Sequence, residues 1–299
     1  MRSFISISVT ESSMIRIAAA IFLVAMPVIA GATGHARIAQ FDGLGGFDGV
    51  GGSGSSAAAR SAQEPPPITL RLLTFNIKHG LGNDGTVDLE RTAAVINAQQ
   101  PDLVALQEVD NGVERTGGVD QARRLGELTG MHAVFGDFME YQGGHYGMAI
   151  LSRHPIIESQ NHRLPPGAEP RSALAARVRV DDSGREIIFV GIHLYDTVEE
   201  RLCQAKRVVD AMAAEAVPVI LAGDFNSTPD SEVMSLIGGG WTLPDKGEDH
   251  LTFSSDDPRR EIDFIGYRPG EIFEVVEQRV IAEPVASDHR PVLLVVRVR

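Results

Sequence analysis

Between residues 68 and 299, short apolar runs recur, and polar side chains able to hold a cation or move a proton stand at their ends. Leu72-Leu73-Thr74-Phe75 is followed by Asn76, and Leu103 to Gln107 by Glu108. His193 follows Ile187-Ile188-Phe189-Val190-Gly191-Ile192, and Asp224 and Asn226 follow Val219-Ile220-Leu221-Ala222-Gly223. Asp263 lies inside Glu261-Ile262-Asp263-Phe264-Ile265, and Asp288 and His289 stand just before Val292–Val298. Strand ends beside loops are where a rigid sheet presents side chains to a ligand. Six such ends can converge on one cleft.

The spacing predicts strands at Ile68–Ile77, Leu103–Glu108, Ala149–Ser152, Ala173–Val180, Glu186–His193, Val217–Gly223, Ile262–Gly266 and Val292–Val298. Asp88 reads as the N-cap of a helix running to Gln99, which Pro101 stops. Further helices are predicted at Gln121–Thr129 and Val198–Ala214. Strands and helices interleave, yet some strands are joined by turns as short as Asp181-Asp182-Ser183-Gly184. That mixture predicts an α/β fold with mixed sheets rather than one parallel sheet.

The N-terminal part has a different character. Arg16 precedes the apolar run Ile17–Ala30, and Ala30-Gly31-Ala32 fits a small-residue cleavage site. Residues 1–32 therefore read as a signal peptide, or as an anchor if uncleaved. The expected location is outside the cell or in the periplasm, or at a membrane held through this segment. Residues 33–67 are rich in Gly, Ala and Ser and end in Pro65-Pro66-Pro67, a composition predicting a disordered linker. Nothing after residue 30 is long and apolar enough to span a bilayer. One folded domain is thus expected over residues 68–299.

Charge narrows the partners. The net charge is −13, and from Glu64 onward 23 Lys and Arg stand against 37 Asp and Glu. Duplex nucleic acid is gripped nonspecifically by cations that displace its counterions, so duplex binding is not favoured. Acidic clusters instead suit divalent cations. The single cysteine, Cys203, permits no internal disulfide and lies in a predicted helix, where it reads as an ordinary packing or surface residue.

The side chains at the strand ends suit phosphoryl chemistry. Glu108, Asp288 and the amide oxygen of Asn76 are hard oxygen ligands of the type Mg²⁺ takes, with Mn²⁺ as a substitute. Asp224 can orient and deprotonate an attacking water, and Asn226 can hold a phosphate oxygen through its NH₂. His193 and His289 can donate to a pentacovalent transition state, and Asp263 beside His289 would fix its tautomer. Each feature alone has an ordinary explanation: Asn at a turn, a hydrogen-bonded core histidine, an Asx-turn at Gly-Asp-Phe-Asn. Their ordered combination carries the argument.

That ordered set resembles the endonuclease/exonuclease/phosphatase superfamily, which includes deoxyribonuclease I. The resemblance rests on Thr74-Phe75-Asn76-Ile77, Leu106-Gln107-Glu108-Val109, Gly147-Met148-Ala149-Ile150-Leu151-Ser152-Arg153, Gly191-Ile192-His193-Leu194, Gly223-Asp224-Phe225-Asn226, Ile262-Asp263-Phe264 and Ser287-Asp288-His289-Arg290-Pro291. It implies a four-layer α/β sandwich, two mixed sheets face to face with helices outside. It implies metal at Glu108 with Asn76 and Asp288 near it, water handling at Asp224, phosphate contacts from Asn226 and His193, and a His289–Asp263 pair. The implied activity is Mg²⁺-dependent hydrolysis of a phosphate ester, a diester above all, with the substrate unassigned. The alternative is an exported binding module that keeps the fold without the chemistry.

Two departures stand out. Members often carry Asn where Met148 stands here, so a contact from that side chain is missing. Gly143-Gly144-His145-Tyr146-Gly147 lies in the region where relatives set a Tyr or His near the leaving group, a part that His145 or Tyr146 can take, with packing as the other reading of Tyr146. Arg171, in Glu169-Pro170-Arg171, is suited to a bidentate phosphate contact or to opening a strand at the surface. Arg153 reads as structural.

Overall fold

The computed structural model describes residues 66–299. The predicted signal segment, and the predicted linker apart from Pro66 and Pro67, lie outside the described residues. The strands are β1 (Ile68–Asn76), β2 (Leu103–Asn111), β3 (His132–Tyr141), β4 (Gly144–Ser152), β5 (Ile156–Arg163), β6 (Ser172–Arg179), β7 (Glu186–His193), β8 (Val219–Asp224), β9 (Asp263–Arg268), β10 (Phe273–Val280) and β11 (Val292–Val298). The helices are α1 (Leu89–Gln99), α2 (Gln121–Thr129), α3 (Val198–Ala213) and α4 (Glu232–Gly238). One sheet has six strands in the order β10-β11-β1-β2-β4-β3, and the other has five in the order β5-β6-β7-β8-β9. Both are mixed: β1 pairs parallel with β2, and β7 with β8, while the remaining pairs are antiparallel.

Strand alternation sorts the apolar side chains into layers. Leu70 and Leu72 of β1, Leu103 and Ala105 of β2, Phe189 of β7, Ile220 and Ala222 of β8 and Leu294 of β11 form the core between the sheets. The opposite parity, Leu73, Phe75, Val104 and Leu106, packs with Leu89, Ile96 and Leu125 of the α1–α2 layer. On the far side Val190, Val219 and Leu221 pack with Val208 and Met212 of α3 and with Ile237 of α4. Each fully buried side chain of this size contributes about 1.5–3 kcal/mol relative to exposure, so the paired sheets form a stiff frame. The result is the four-layer sandwich.

Local chemistry bounds the helices, at α1 with the cap that the sequence predicts. Asp88 accepts a hydrogen bond from the Arg91 N–H at 2.9 Å to cap α1, and Asp120 caps α2 through the Arg123 N–H at 3.0 Å. Ser231 caps α4 through Met234 at 3.2 Å. Gly130 closes α2 in the left-handed conformation, with φ at 67°.

Gly223 has a tighter constraint. Its φ is 156°, and a Cβ there would overlap the carbonyl oxygen of Ile192 on the neighbouring strand. Gly223→Ala is expected to destabilise the protein by about 1–3 kcal/mol through overpacking, read as a lower urea midpoint with an unchanged slope. An unchanged midpoint would show that β7 and β8 can part enough to admit a methyl group.

Candidate active site

The parity that buries Leu70 and Leu72 continues to Thr74 and Asn76, so the polar end of β1 points toward the other sheet. On the five-stranded sheet, His193 pairs with Asp224 and Asp224 pairs with Asp263. Those three side chains therefore stand on one rung across β7, β8 and β9, on the face turned to β1. Neighbouring strands lie about 4.8 Å apart, close enough for the three to interact. All three are 4% exposed or less.

Glu108 reaches the same place by breaking the pattern. Continued alternation would turn it to the outer face. Instead it lies at a shift of register between β2 and β4 and adopts a left-handed φ of 58°. A non-glycine residue in that region costs roughly 1–2 kcal/mol, and such conformations persist where the surroundings over-determine them. The bulge re-aims the carboxylate toward Asn76, whose Nδ2 donates to Glu108 Oε1 at 3.0 Å and to Asp224 Oδ2 at 3.2 Å. One amide thus joins carboxylates from the two sheets.

Asn76 was expected to offer its oxygen to a cation. The structure turns it the other way: Oδ1 accepts the Lys78 N–H at 3.1 Å, and the NH₂ faces the carboxylates. The reason is electrostatic, since two anionic oxygens require a donor between them. Asn76 therefore spaces the carboxylates. It is itself fixed from behind, as Ser287 Oγ donates to its backbone carbonyl at 2.7 Å.

His289 stands between two carboxylates. Its Nδ1–H donates to Asp263 Oδ2 at 3.0 Å and Oδ1 at 3.2 Å, while Nε2 lies 3.6 Å from Asp224 Oδ2. Burial lowers the imidazole's proton affinity, but the charges of Asp263 and Asp224 outweigh it and raise the pKa to about 10. Asp224 is pushed up to about 7 by burial and by the charge of Asp263, with His289, the Asn226 N–H (2.8 Å) and Asn76 opposing. His289 is therefore the protonated member at neutral pH, and Asp224 titrates there. His193, with Nε2 3.5 Å from Asp224 Oδ2, is held well below its ordinary range by burial and by the charge of Arg171, so it is neutral.

Among the described residues, Asp224, Asp263 and His289 are the one group of three such side chains with donor atoms within 4.8 Å of one another. They form a line rather than a cage, each imidazole nitrogen turned to its own carboxylate, which suits proton handling better than enclosing an ion. Glu108 fits a hard cation better. It is half-buried, and among the described residues its carboxylate has Asn76 as its single hydrogen-bond partner, which leaves oxygen lone pairs free.

The remaining predicted residues are placed as follows. Asn226 has a left-handed φ of 47°, and its Nδ2 donates to the Leu194 carbonyl at 2.9 Å, leaving one N–H for a ligand. Arg171 is 7% exposed, pairs with Glu169, and stacks over Phe138 (4.9 Å) and Tyr195 (5.5 Å), with Nε buried and unpartnered. It is a buried guanidinium facing the His193 side of the cluster, not a surface residue. Tyr146 is buried edge-on against Phe138 at 5.6 Å. Burial and then the charge of Glu108 push its phenol far above the usual range, so it stays a donor. His145 points the other way, as strand alternation requires. It is half exposed at the β3–β4 hairpin, 3.9 Å from Asp137 Oδ2, and the structure does not bring it to the cluster. Asp288 faces Lys78, with Nζ to Oδ2 at 2.7 Å. Met148 lies in the core between the sheets, and Arg153 Nε donates to the Pro101 carbonyl at 2.7 Å.

Sequence reasoning missed Lys78 and its support. The one signal was a basic pair, Lys78-His79, between Asn76 and the turn glycine Gly80. It also missed Arg115, bound through two nitrogens to buried Asp110 (2.8 Å each) and lying over the rings of Tyr141 and Tyr146.

Comparison with known proteins bears on the fold and the family. YbhP, an uncharacterized protein of Escherichia coli K12, is 29% identical over 175 residues, covering 53% of this chain and 67% of that protein. A solved endonuclease/exonuclease/phosphatase structure from Beutenbergia cavernae DSM 12333 has 27% identity and a TM-score of 0.62, covering 77% of this chain and 72% of that one. The human Nocturnin catalytic domain with bound sulfate anion has the same fold at 21% identity and a TM-score of 0.61, covering 77% of this chain and 95% of that one. The model of the Endonuclease/Exonuclease/phosphatase family matches residues 73–289, and this chain belongs to that family.

Proposed function

We propose that this chain is a Mg²⁺-dependent phosphoric ester hydrolase, a phosphodiesterase above all, acting by in-line attack of an activated water. Members of the family are hydrolases that cleave phosphoesters, in small molecules or in nucleic acids. The observation that carries the finer reading is the meeting of Glu108 and Asn76 from one sheet with Asp224, Asp263, His193 and His289 opposite them.

The chain's own groups divide the work. Asp224, ionised, orients a water and takes its proton as the water oxygen bonds to phosphorus. The leaving oxygen departs with the bonding electron pair and is protonated from solvent. His289, charged and held by Asp263, opposes the negative charge that develops on the phosphoryl oxygens, and neutral His193 and the free N–H of Asn226 donate to them. Arg171, buried beside His193, adds fixed positive charge. Glu108 would hold Mg²⁺, which as a Lewis acid withdraws charge from the phosphoryl group. The net charge of −13 disfavours duplex nucleic acid, so a small phosphodiester or phospholipid headgroup suits the chain better. The N-terminal segment is read as directing export.

The test is release of nitrophenol from bis(p-nitrophenyl) phosphate, expected with Mg²⁺ or Mn²⁺ and abolished by EDTA. Turnover that survives EDTA, or none on this substrate and on phospholipid and nucleic-acid panels, would count against the proposal. Glu108→Gln is expected to shift the Mg²⁺ dependence of the rate at least about tenfold toward higher concentration. An unchanged titration would remove Glu108 from the metal's coordination.

A further inference from the structure

A cavity of about 140 Å³ is walled by Arg115 after β2, Met139 and Tyr141 of β3, Tyr146 of β4 and Glu169 before β6. It adjoins the polar cluster. The Phe138 ring lies 5.6 Å from that of Tyr146 and 6.2 Å from that of His193, and Glu169 pairs with Arg171, which stacks over the same Phe138. The charges of Glu108 and Glu169 both act on the Tyr146 phenol. Tyr146 is thus shared by the cluster and the cavity.

The polar groups of the wall are fixed, yet each keeps capacity to spare. Fully buried Asp110 takes Nε and Nη2 of Arg115 at 2.8 Å each and also accepts from Thr116 Oγ1 at 3.1 Å. The Arg115 backbone N–H donates to Gln142 Oε1 at 3.2 Å. The guanidinium is therefore held in place, and among the described residues its Nη1 has no hydrogen-bond partner. Glu169 accepts from Arg171 through Oε1, leaving Oε2 open. Tyr146 is 8% exposed, and its hydroxyl has no hydrogen-bond partner among the described residues. A donor, an acceptor and a hydroxyl able to be either line one small space, and groups already in position bind with little ordering cost.

The set does not suit a charged ligand group. A cation would meet Arg115, which already lies over the rings of Tyr141 and Tyr146 at 4.8 and 5.3 Å. An anion would meet Glu169, and Asp110 already offsets the charge of Arg115. An uncharged alcohol with neighbouring hydroxyls suits both walls: one oxygen accepts from Arg115 Nη1, one hydroxyl donates to Glu169 Oε2, and the carbon chain rests on Met139. We propose that this cavity is a subsite for an alcohol esterified to the phosphate, and that it takes an uncharged polyhydroxylated group, a polyol or a sugar. This inference rests on the reading of the chain as a phosphoester hydrolase.

The test is competition against bis(p-nitrophenyl) phosphate by the methyl phosphodiesters of glycerol, choline and 1-propanol, each read as an inhibition constant. In wild type the glycerol ester is expected to bind at least about tenfold more tightly than either of the others, the contribution of one hydrogen bond to a charged group. That preference should be lost in Arg115→Met and in Glu169→Gln. Being a ratio within one protein, it is unmoved by a loss common to all the esters. A smaller preference in wild type, or a preference kept in either folded variant, would overturn the proposal. Arg115→Met leaves Asp110 buried without its partner, and should it fail to fold by circular dichroism, Glu169→Gln alone decides. No turnover of the nitrophenyl diester to inhibit would instead be a failure of the hydrolase reading itself, and would take this inference with it.

Discussion

Asp224→Asn is expected to lower turnover of bis(p-nitrophenyl) phosphate by about 10³–10⁴-fold, the upper part of the range for loss of a positioned general base. The substitution keeps the shape of the side chain, and its amide oxygen can still accept the Asn226 N–H that Oδ1 now accepts, while its NH₂ takes the place of the Oδ2 that accepts from Asn76. The fold should therefore survive, and the loss should fall on kcat rather than KM. The pH profile gives an independent reading. Asp224 must be ionised to act and its carboxyl sits at about 7, so wild-type activity should rise as pH increases through neutrality. Bound metal, adding positive charge nearby, should move that limb to lower pH. Asp224→Asn should lose the limb. A variant within tenfold of wild type, or one with the same rising limb, would take the water-activating role away from Asp224.

Asp263→Asn should have the next largest effect, about 10²–10⁴-fold on kcat, because it removes the group that orients and charges His289. The sign of the pH effect follows from the geometry. Burial alone depresses His289, and the charge of Asp263 is the largest influence raising it to about 10. His289 is useful in its protonated form, so wild-type activity should decline only in the alkaline range. Without the Asp263 charge, burial gains weight and the decline should begin closer to neutrality. A slower variant whose alkaline limb has not moved would make Asp263 a packing residue rather than the partner that sets the charge of His289.

Much of this was legible in the sequence, and the exceptions share a cause. The predicted strands correspond to β1, β2, the second half of β4, and β6, β7, β8, β9 and β11, where burial writes long apolar runs. β3, β5 and β10 were not predicted, and all three lie at the edge of a sheet. Edge strands such as Ile156–Arg163, with Glu158, Ser159 and Gln160 exposed, carry the polar residues that keep an edge from pairing with another molecule. Short α4 was also missed, because it spans only 7 residues. At the site, strand parity brings Asn76, His193, Asp224 and Asp263 together as the motif spacing implied. Glu108 arrives through a left-handed bulge that no periodicity announces. The orientation of Asn76 and the outward turn of His145 depend on neighbours far away in the chain. Lys78 had no motif of its own, because its position comes from a loop pinned by Gln121, 42 residues or more downstream in the chain.

The clustered polar groups are divided between two stacked sheets, with Asn76 hydrogen-bonded to both Glu108 and Asp224. A ligand gripping Glu108 and the Asp224 rung together would act as a rivet through the sandwich, and the halves could not separate without releasing it. Ligand occupancy should then be recorded far from the cleft, as slower deuterium uptake by the interior amides of β1 and β8.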